Sequence, residues 1–144
     1  ETTAEVSNII QFGEVVGINN QSDRDINLLN ATVRLVSGSD PINVSKASYT
    51  IEAPGGNATV VNGNPNENDA ITHFQKQNMK DNVSILAEQD DVLLVQFNLE
   101  KQSGIEPLNS SEKVRIIAQA PAGGNTYKEL KTPRRVFKNE SYIL

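Results

Sequence analysis

The sequence has 144 residues, a net charge of −5 and no cysteine. This length predicts one domain with a sizeable core, and the lack of cysteine excludes disulfides and thiolate metal sites. The acidic balance argues against nucleic acid and against anionic membrane surfaces, because both attract lysine and arginine. The longest aliphatic run, Val92 to Val95, is far shorter than the ~20 residues that a membrane-spanning helix needs.

Alternating apolar and polar residues predict short strands in the first half of the chain. A strand is predicted over residues 9–18, with Gly13 and Gly17 marking a bulge or a bend. Another is predicted over 28–35, and its inward-facing residues are Leu29, Ala31, Val33 and Leu35. Turn residues over 37–41 then lead into a strand that contains Ile42 and Val44. Residues 47–53 and 58–61 flank a Pro-Gly-Gly-Asn turn, which predicts a hairpin.

The second half is predicted to hold further strands and one ambiguous segment. Residues 62–69 contain no apolar side chain and are predicted to form a loop, while 70–82 could form a short helix capped by Asp69. Strands are predicted over 83–86, 92–99, 113–120, 125–130 and 135–144, and the most apolar of them, 92–99, is predicted to be central. The total of about eight to ten strands predicts an all-β fold. We expect a single immunoglobulin-like antiparallel β-sandwich or barrel over residues 1–144, with at most a short helix.

Three stretches, in order along the chain, resemble archaeal flagellins (archaellins). Residues 34–44, RLVSGSDPINV, are similar to a Gly-Ser-x-Pro-Ile corner of that family, although Asn43 stands where Asp is commoner. Residues 1–17 resemble the junction between the archaellin helix and the first strand of the head domain. Residues 121–144 resemble the closing pattern of a Gly-rich turn, a strand, Thr-Pro and a last strand that ends on Leu.

This resemblance implies a structural role outside the cell. It implies the glycosylated head of a swimming-filament subunit, whose partners are copies or paralogues of itself, with no enzymatic activity and no nucleic-acid or membrane contact. Archaellins polymerise through a long apolar N-terminal helix of the type IV pilin kind. The resemblance therefore implies that this helix lies upstream of Glu1, and that residues 1–8 are its remaining end.

Acceptor sites for N-linked glycans are the strongest chemical signal in the sequence. The pattern Asn-x-Ser/Thr occurs seven times, at Asn20, Asn30, Asn43, Asn57, Asn82, Asn109 and Asn139. Seventeen asparagines would give roughly two such patterns by chance, so the excess is about threefold. Asn20, Asn57 and Asn109 fall in predicted loops, Asn30 faces outward on its strand, and Asn43 is close to the corner. An abundance of Asn, Ser and Thr in turns is the alternative explanation of the pattern.

Catalytic and metal-binding signals are weak. His73 is the only histidine and has no nucleophile motif beside it, and Asp90 and Asp91 face opposite ways if they are on a strand. The sequence therefore predicts no catalytic residue and no cofactor. The loop 64–69 offers oxygen ligands of the kind that calcium prefers, but it lacks the spacing of a calcium loop. A divalent cation stays possible with no ligand assigned.

Opposite charges cluster in different parts of the chain. Basic residues concentrate near the C-terminal end and acidic residues near 81–91. Solvated surface charge is one explanation; contacts between identical heads in a helical filament are another. On the second hypothesis the contact residues are Lys128, Lys131, Arg134, Arg135, Asp90 and Asp91. Two other functions remain open: a glycosylated adhesion or S-layer-binding accessory domain of the motility machinery, and a secreted enzyme, which has no positive signal.

Overall fold

The computed structural model describes residues 8–20, 25–53 and 58–144. The predicted helix end over residues 1–7 and the predicted turn at 54–57 lie outside the described residues. Within the described ranges, no helix is long and apolar enough to cross a membrane.

Eleven strands and one 3-10 turn form in the described parts of the chain, which confirms the predicted all-β fold. The strands are β1 (Ile10–Ile18), β2 (Leu28–Leu35), β3 (Ile42–Asn43), β4 (Ser48–Glu52), β5 (Ala58–Asn62), β6 (Ile71–Gln77), β7 (Ile85–Leu86), β8 (Val92–Asn98), β9 (Lys113–Gln119), β10 (Asn125–Lys131) and β11 (Ser141–Ile143). The 3-10 turn covers Val44–Lys46.

Two antiparallel sheets form the two layers of a β-sandwich. One sheet has five strands in the order β11-β1-β2-β8-β6, and the other has four in the order β10-β9-β4-β5. A short ribbon of β3 and β7 lies beside them. The predicted bulge in the first strand is confirmed, because the register of β1 on β2 shifts between Phe12 and Val15. β8 is an interior strand between β2 and β6, as its apolar sequence predicts.

The core lies between the inner faces of the two sheets. The alternation in β2 is confirmed: Leu29, Ala31, Val33 and Leu35 are at most 2% exposed. The aromatic rings of Tyr49 and Phe97 meet across the core edge to face, with their centroids 5.1 Å apart and an angle of 85° between the ring planes. Tyr49 comes from the four-stranded sheet and Phe97 from the five-stranded sheet, so this contact joins the two layers.

Three predicted elements differ from the structure. Residues 71–77 form β6 and not a helix. The strand predicted through Val44 ends at Asn43, because the side chain of Asn43 accepts a hydrogen bond from Ser45 N and caps a 3-10 turn. The last strand is three residues long, because residues 135–140 run as a loop in which Phe137 N donates to the Tyr142 hydroxyl at 2.8 Å.

Candidate functional site: the outer surface and its asparagine acceptors

Four predicted glycan acceptors are open to solvent. These are Asn20, Asn82, Asn109 and Asn139, all in turns or loops. Asn82 and Asn139 have left-handed backbone conformations, with φ of 64° and 60°, which asparagine tolerates better than most residues. At Asn20 the side-chain oxygen accepts a hydrogen bond from Asn27 Nδ2 at 2.6 Å. That contact orients the carboxamide of Asn20 through its oxygen and not through the nitrogen that a glycan would occupy.

Two other acceptors are half-buried on the sheets. Asn30 faces outward from the five-stranded sheet as predicted, and its oxygen accepts a hydrogen bond from Gln96 Nε2 at 2.9 Å. Asn43 is held by its bond from Ser45 N at 3.1 Å, close to the sheet as its place at the corner indicates. Asn57 lies outside the described residues. The structure therefore separates open acceptors from acceptors that take part in the packing of the fold.

The single histidine forms a half-buried pair with a serine. His73 Nδ1 lies 2.8 Å from Ser84 Oγ, and Nε2 is buried without a hydrogen-bond partner in the described residues. Burial lowers the pKa of the imidazole to about 4, and the backbone of Gly63 partly opposes this shift. The pair joins β6 to the 82–86 segment, because its two side chains come from those two parts of the chain.

The low pKa of His73 predicts a loss of stability in mild acid. Between its ordinary pKa of 6.5 and the folded value of about 4, the unfolded chain binds a proton that the folded chain does not. Stability should therefore be complete above pH 6.5 and fall toward pH 4. The loss should be about 2 kcal/mol, allowing for the partly exposed ring. Urea unfolding at pH 7, 5.5 and 4.5 measures it. The difference in free energy of unfolding between the wild type and His73→Gln should vary with pH, whereas Ser84→Ala should keep the pH dependence of the wild type. If the stability of the wild type and of His73→Gln changed equally with pH, the lowered pKa of His73 would be contradicted.

The polar loop after β5 is held by its own asparagine side chains. Asn62, Asn64 and Asn68 each accept a hydrogen bond from the backbone N–H two residues further on, at 2.9 to 3.0 Å. Such turns satisfy backbone donors where no sheet can. In the described residues no three His, Asp or Glu side chains gather in a way that could hold a metal.

One predicted contact residue is wrong. Asp91 is 4% exposed, and its carboxylate accepts hydrogen bonds from Ala87 N at 2.7 Å, Glu88 N at 3.0 Å and Asn78 Nδ2 at 2.7 Å. Burial by itself would raise the pKa of Asp91, but these three donors stabilise the carboxylate, and the net effect is a lowered pKa. Asp91 therefore closes the 78–91 loop from inside and is not available to a second subunit.

The other predicted contact residues lie at two ends of the sandwich. Asp90 precedes β8, at the end of the sandwich where β2 finishes. Lys131 ends β10, at the opposite end, because the turn between β9 and β10 approaches Asn8 at the start of β1. Arg134 and Arg135 follow Lys131 and are exposed. Lys128 is half-buried on the inward side of β10, and the exposed Lys80 partly offsets the acidic group. The structure thus separates the two charge groups without placing either against a partner.

Comparisons place this sandwich among known folds. No protein-family model matches the sequence, and no similar sequence is found among curated proteins. Solved structures of archaeal flagellar proteins do match. The crystal structure of archaeal flagellin FlaB1 from Methanocaldococcus jannaschii matches with a TM-score of 0.74 and 14% identity, over 94% of this chain and 95% of that chain. The archaeal flagellum of Methanospirillum hungatei strain JF1 matches with a TM-score of 0.65 and 11% identity, over 94% of this chain and 74% of that chain. The chain therefore has the archaellin fold, which confirms the fold that the sequence resemblance implies.

Proposed function

We propose that this chain is the outer head domain of a structural subunit of an archaeal swimming filament, exposed outside the cell. The observation that carries the proposal is the fold match to FlaB1, which spans 94% of this chain and 95% of that one. A match of this extent relates the whole sandwich, and not one shared motif, to a flagellin. The three archaellin-like stretches of the sequence, which occur in the family's order, support it independently.

The role we propose is mechanical and not catalytic. The half-buried His73–Ser84 pair fastens the fold, and Asp91 is satisfied by internal hydrogen bonds. Neither group is arranged to act on a substrate, so we propose that the domain is no enzyme. Its work would be to supply bulk, stiffness and a polar outer layer to a polymer that is turned from elsewhere.

Copies or paralogues of the chain are the proposed partners. A helical filament needs contacts between two different surfaces of the subunit, and the basic and acidic groups at opposite ends of the sandwich meet that requirement. Lys131, Arg134 and Arg135 on one subunit and Asp90 on the next stay the predicted residues of such a contact. Polymerisation through an apolar N-terminal helix stays a prediction as well, and the gene sequence before the codon for Glu1 would check it.

Labelling of native filaments tests the function directly. Antibodies raised against this 144-residue domain, carried on gold particles, are applied to cells and to sheared filaments for electron microscopy. We expect gold along the full length of the filaments. Gold at the cell wall or at the filament base alone would overturn the proposal and favour an S-layer-binding accessory or adhesion domain. Cells that lack the gene provide the control for antibody specificity.

Glycosylation is a second part of the proposal, and it predicts which acceptors carry sugar. A glycan needs an accessible carboxamide nitrogen and room for a bulky hydrophilic group. We expect glycopeptides from native protein at the exposed Asn20, Asn82, Asn109 and Asn139. We expect the lowest occupancy at Asn30, which is half-buried and bonded to Gln96. Mass spectrometry of proteolytic peptides, before and after chemical release of glycans, measures occupancy. Unmodified peptides at all four exposed sites would refute the glycan coat.

A further inference from the structure

The register of the strands arranges the side chains on the outer face of the four-stranded sheet in rows that run across the strands. Pairing of β10, β9, β4 and β5 places a row of three largely apolar residues and one threonine across all four strands; its members are Tyr127, Ile117, Thr50 and Val60. We refer to these four residues as the apolar row. The neighbouring row toward the Lys131 end contains Glu129, Arg115, Glu52 and Ala58. One apolar stripe therefore crosses a face that is otherwise polar.

The two ends of the apolar row are open to solvent, and one of them is held in place. Val60 is 66% exposed and Tyr127 is 60% exposed. The Arg115 guanidinium lies 4.9 Å from the centroid of the Tyr127 ring and forms ion pairs with Glu52 at 3.8 Å and Glu129 at 3.6 Å. Arginine over an aromatic face orients the ring without covering its other side. The row is therefore preorganised for contact with another surface.

Glycan acceptors avoid this face in the part of the chain that the structure describes. Of the six described acceptors, four lie in turns or loops, Asn43 belongs to β3 in the β3–β7 ribbon, and Asn30 faces outward from the middle strand of the other sheet. A glycan on Asn30 would stand over the five-stranded sheet. None of the described acceptors is on the outer face of the four-stranded sheet, while Asn57, which precedes β5 in the sequence, lies outside the described residues.

The edge strand at the Val60 end has no charged residue that would guard it against pairing. Exposed sheet edges are usually guarded by charges, by extreme shortness or by a covering segment. β10 carries three charged residues, β6 carries Lys76 and is covered by bonds from Gln75 and His73 to residues 83–84, and β11 has three residues. β5, with the sequence ATVVN, has no charge and no proline. Its Thr59 hydroxyl donates to the Ser103 carbonyl at 2.9 Å, but Val60 on the outer side remains open.

Charge at the other border of the face fits an acidic partner. Lys113 and Lys131 lie directly opposite each other on β9 and β10. Like charges in that position are unfavourable, and neither lysine forms an ion pair in the described residues. The exposed Asp90 of a second copy, at the opposite end of its own sandwich, is a carboxylate that would relieve that repulsion.

We propose that the outer face of the four-stranded sheet, along the apolar row and the β5 edge, is the surface on which a second copy of this chain packs. The inference rests on the proposed filament function and names the face that makes the lateral contact. Four side chains cover far less than the ~1,200–2,000 Å² of a stable interface. Isolated heads should therefore stay monomeric, and the contact forms where polymerisation holds copies side by side at high effective concentration.

Matched acidic substitutions on the two sheets test the assignment. Val60→Asp and Ile143→Asp are introduced separately into the full-length gene in its native host, and filaments are counted and measured by electron microscopy. Ile143 is 74% exposed on the outer side of the five-stranded sheet, so both changes leave the folded head intact. We expect Val60→Asp to reduce filament mass by about tenfold or more, because each contact would bury an unpaired carboxylate. Ile143→Asp should assemble normally; equal effects, or a loss confined to Ile143→Asp, would overturn the proposal.

Thiol protection gives a second measurement that does not depend on failed assembly. The 144 residues contain no cysteine, so Val60→Cys and Ile143→Cys each introduce a single thiol into the head domain. Both variants are treated with a bulky maleimide as intact filaments and as dissociated subunits. We expect filaments to slow labelling at position 60 by about tenfold or more and to leave position 143 unchanged. Unhindered labelling of position 60 in intact filaments would contradict the proposed docking face but not the filament function. Absence of the chain from filaments would contradict the filament function itself.

Discussion

Replacing Phe97 with alanine is expected to lower the free energy of unfolding by about 4 kcal/mol, the largest effect of any single substitution considered for this fold. Phe97 is 1% exposed and its ring contacts Tyr49 edge to face, so truncation removes the contact and leaves a cavity between the two sheets. The surrounding strands cannot close such a cavity without losing their own packing. Chemical denaturation with urea, followed by circular dichroism, measures the loss.

Phe74 provides the matched control for this substitution. It lies on β6, next to β8 in the same sheet, but its side chain is 41% exposed on the outer face. Phe74→Ala should therefore cost about 1 kcal/mol or less. Similar losses for Phe74→Ala and Phe97→Ala would show that the interior between the sheets is not where the structure places it.

Replacing Asp91 with alanine is expected to destabilise the domain by about 3 kcal/mol. The substitution leaves the backbone N–H groups of Ala87 and Glu88 and the Asn78 amide without their acceptor, and hydrogen bonds to a charged group contribute more than neutral ones. The loop over 78–91 should loosen first, because these three bonds close it. Urea unfolding at pH 7 gives the overall loss, and hydrogen exchange of the Ala87 and Glu88 amides reports on the loop.

The neighbouring carboxylate separates this effect from general surface charge. Asp90 is exposed, so Asp90→Ala should change stability by no more than about 0.5 kcal/mol. Acid provides a second check. Because the pKa of Asp91 is lowered, its stabilisation is present above the ordinary value of 3.8 and is lost as pH falls through the folded pKa. An Asp91→Ala protein that matched the wild type at pH 7 would contradict the buried hydrogen-bond arrangement.

Strands with one face buried in the core could be predicted from the sequence, because successive side chains point alternately into the core and toward solvent. β2 shows this most clearly: Leu29, Ala31 and Val33 are buried, while Asn30 and Thr32 face outward. The strong apolar run of β8 likewise predicts an interior strand. In these segments the hydrophobic pattern agrees with the final packing, so the strands and their buried faces could be predicted from the sequence alone.

β6 could not be predicted in this way, because its pattern is inverted. Its inward positions include the polar His73 and Gln75, and the apolar Phe74 faces out. The two polar side chains form hydrogen bonds with Ser84 Oγ and with the Val83 carbonyl, which belong to a segment further along the chain. Only tertiary structure brings that segment to β6, so the local pattern left residues 70–82 ambiguous, with a short helix possible, where a strand forms.

The glycan acceptors were visible in the sequence, since they depend on three consecutive residues. Their exposure was only partly predictable, because the bond from Gln96 to Asn30 joins residues that are 66 positions apart. Because Asp90 and Asp91 are adjacent, the sequence predicts that their side chains point in opposite directions, but it does not predict which carboxylate is buried. The apolar row was missed altogether, because it exists only through the register of four strands, and no single strand contains more than one of its members.

The pairing of β1 has a mechanical consequence. β1 is hydrogen-bonded to β2 along most of its length and to β11 over Val16–Ile18, and Asn8 just before it accepts a bond from Asp40 N at 3.0 Å. Tension applied to the chain at Asn8 would run parallel to β1, so these bonds would be loaded in shear and would have to break together and not one after another. β1 can therefore carry a pulling force between the preceding chain and the sandwich. Drag on the sandwich would pass through this strand without separating the sheet one hydrogen bond at a time.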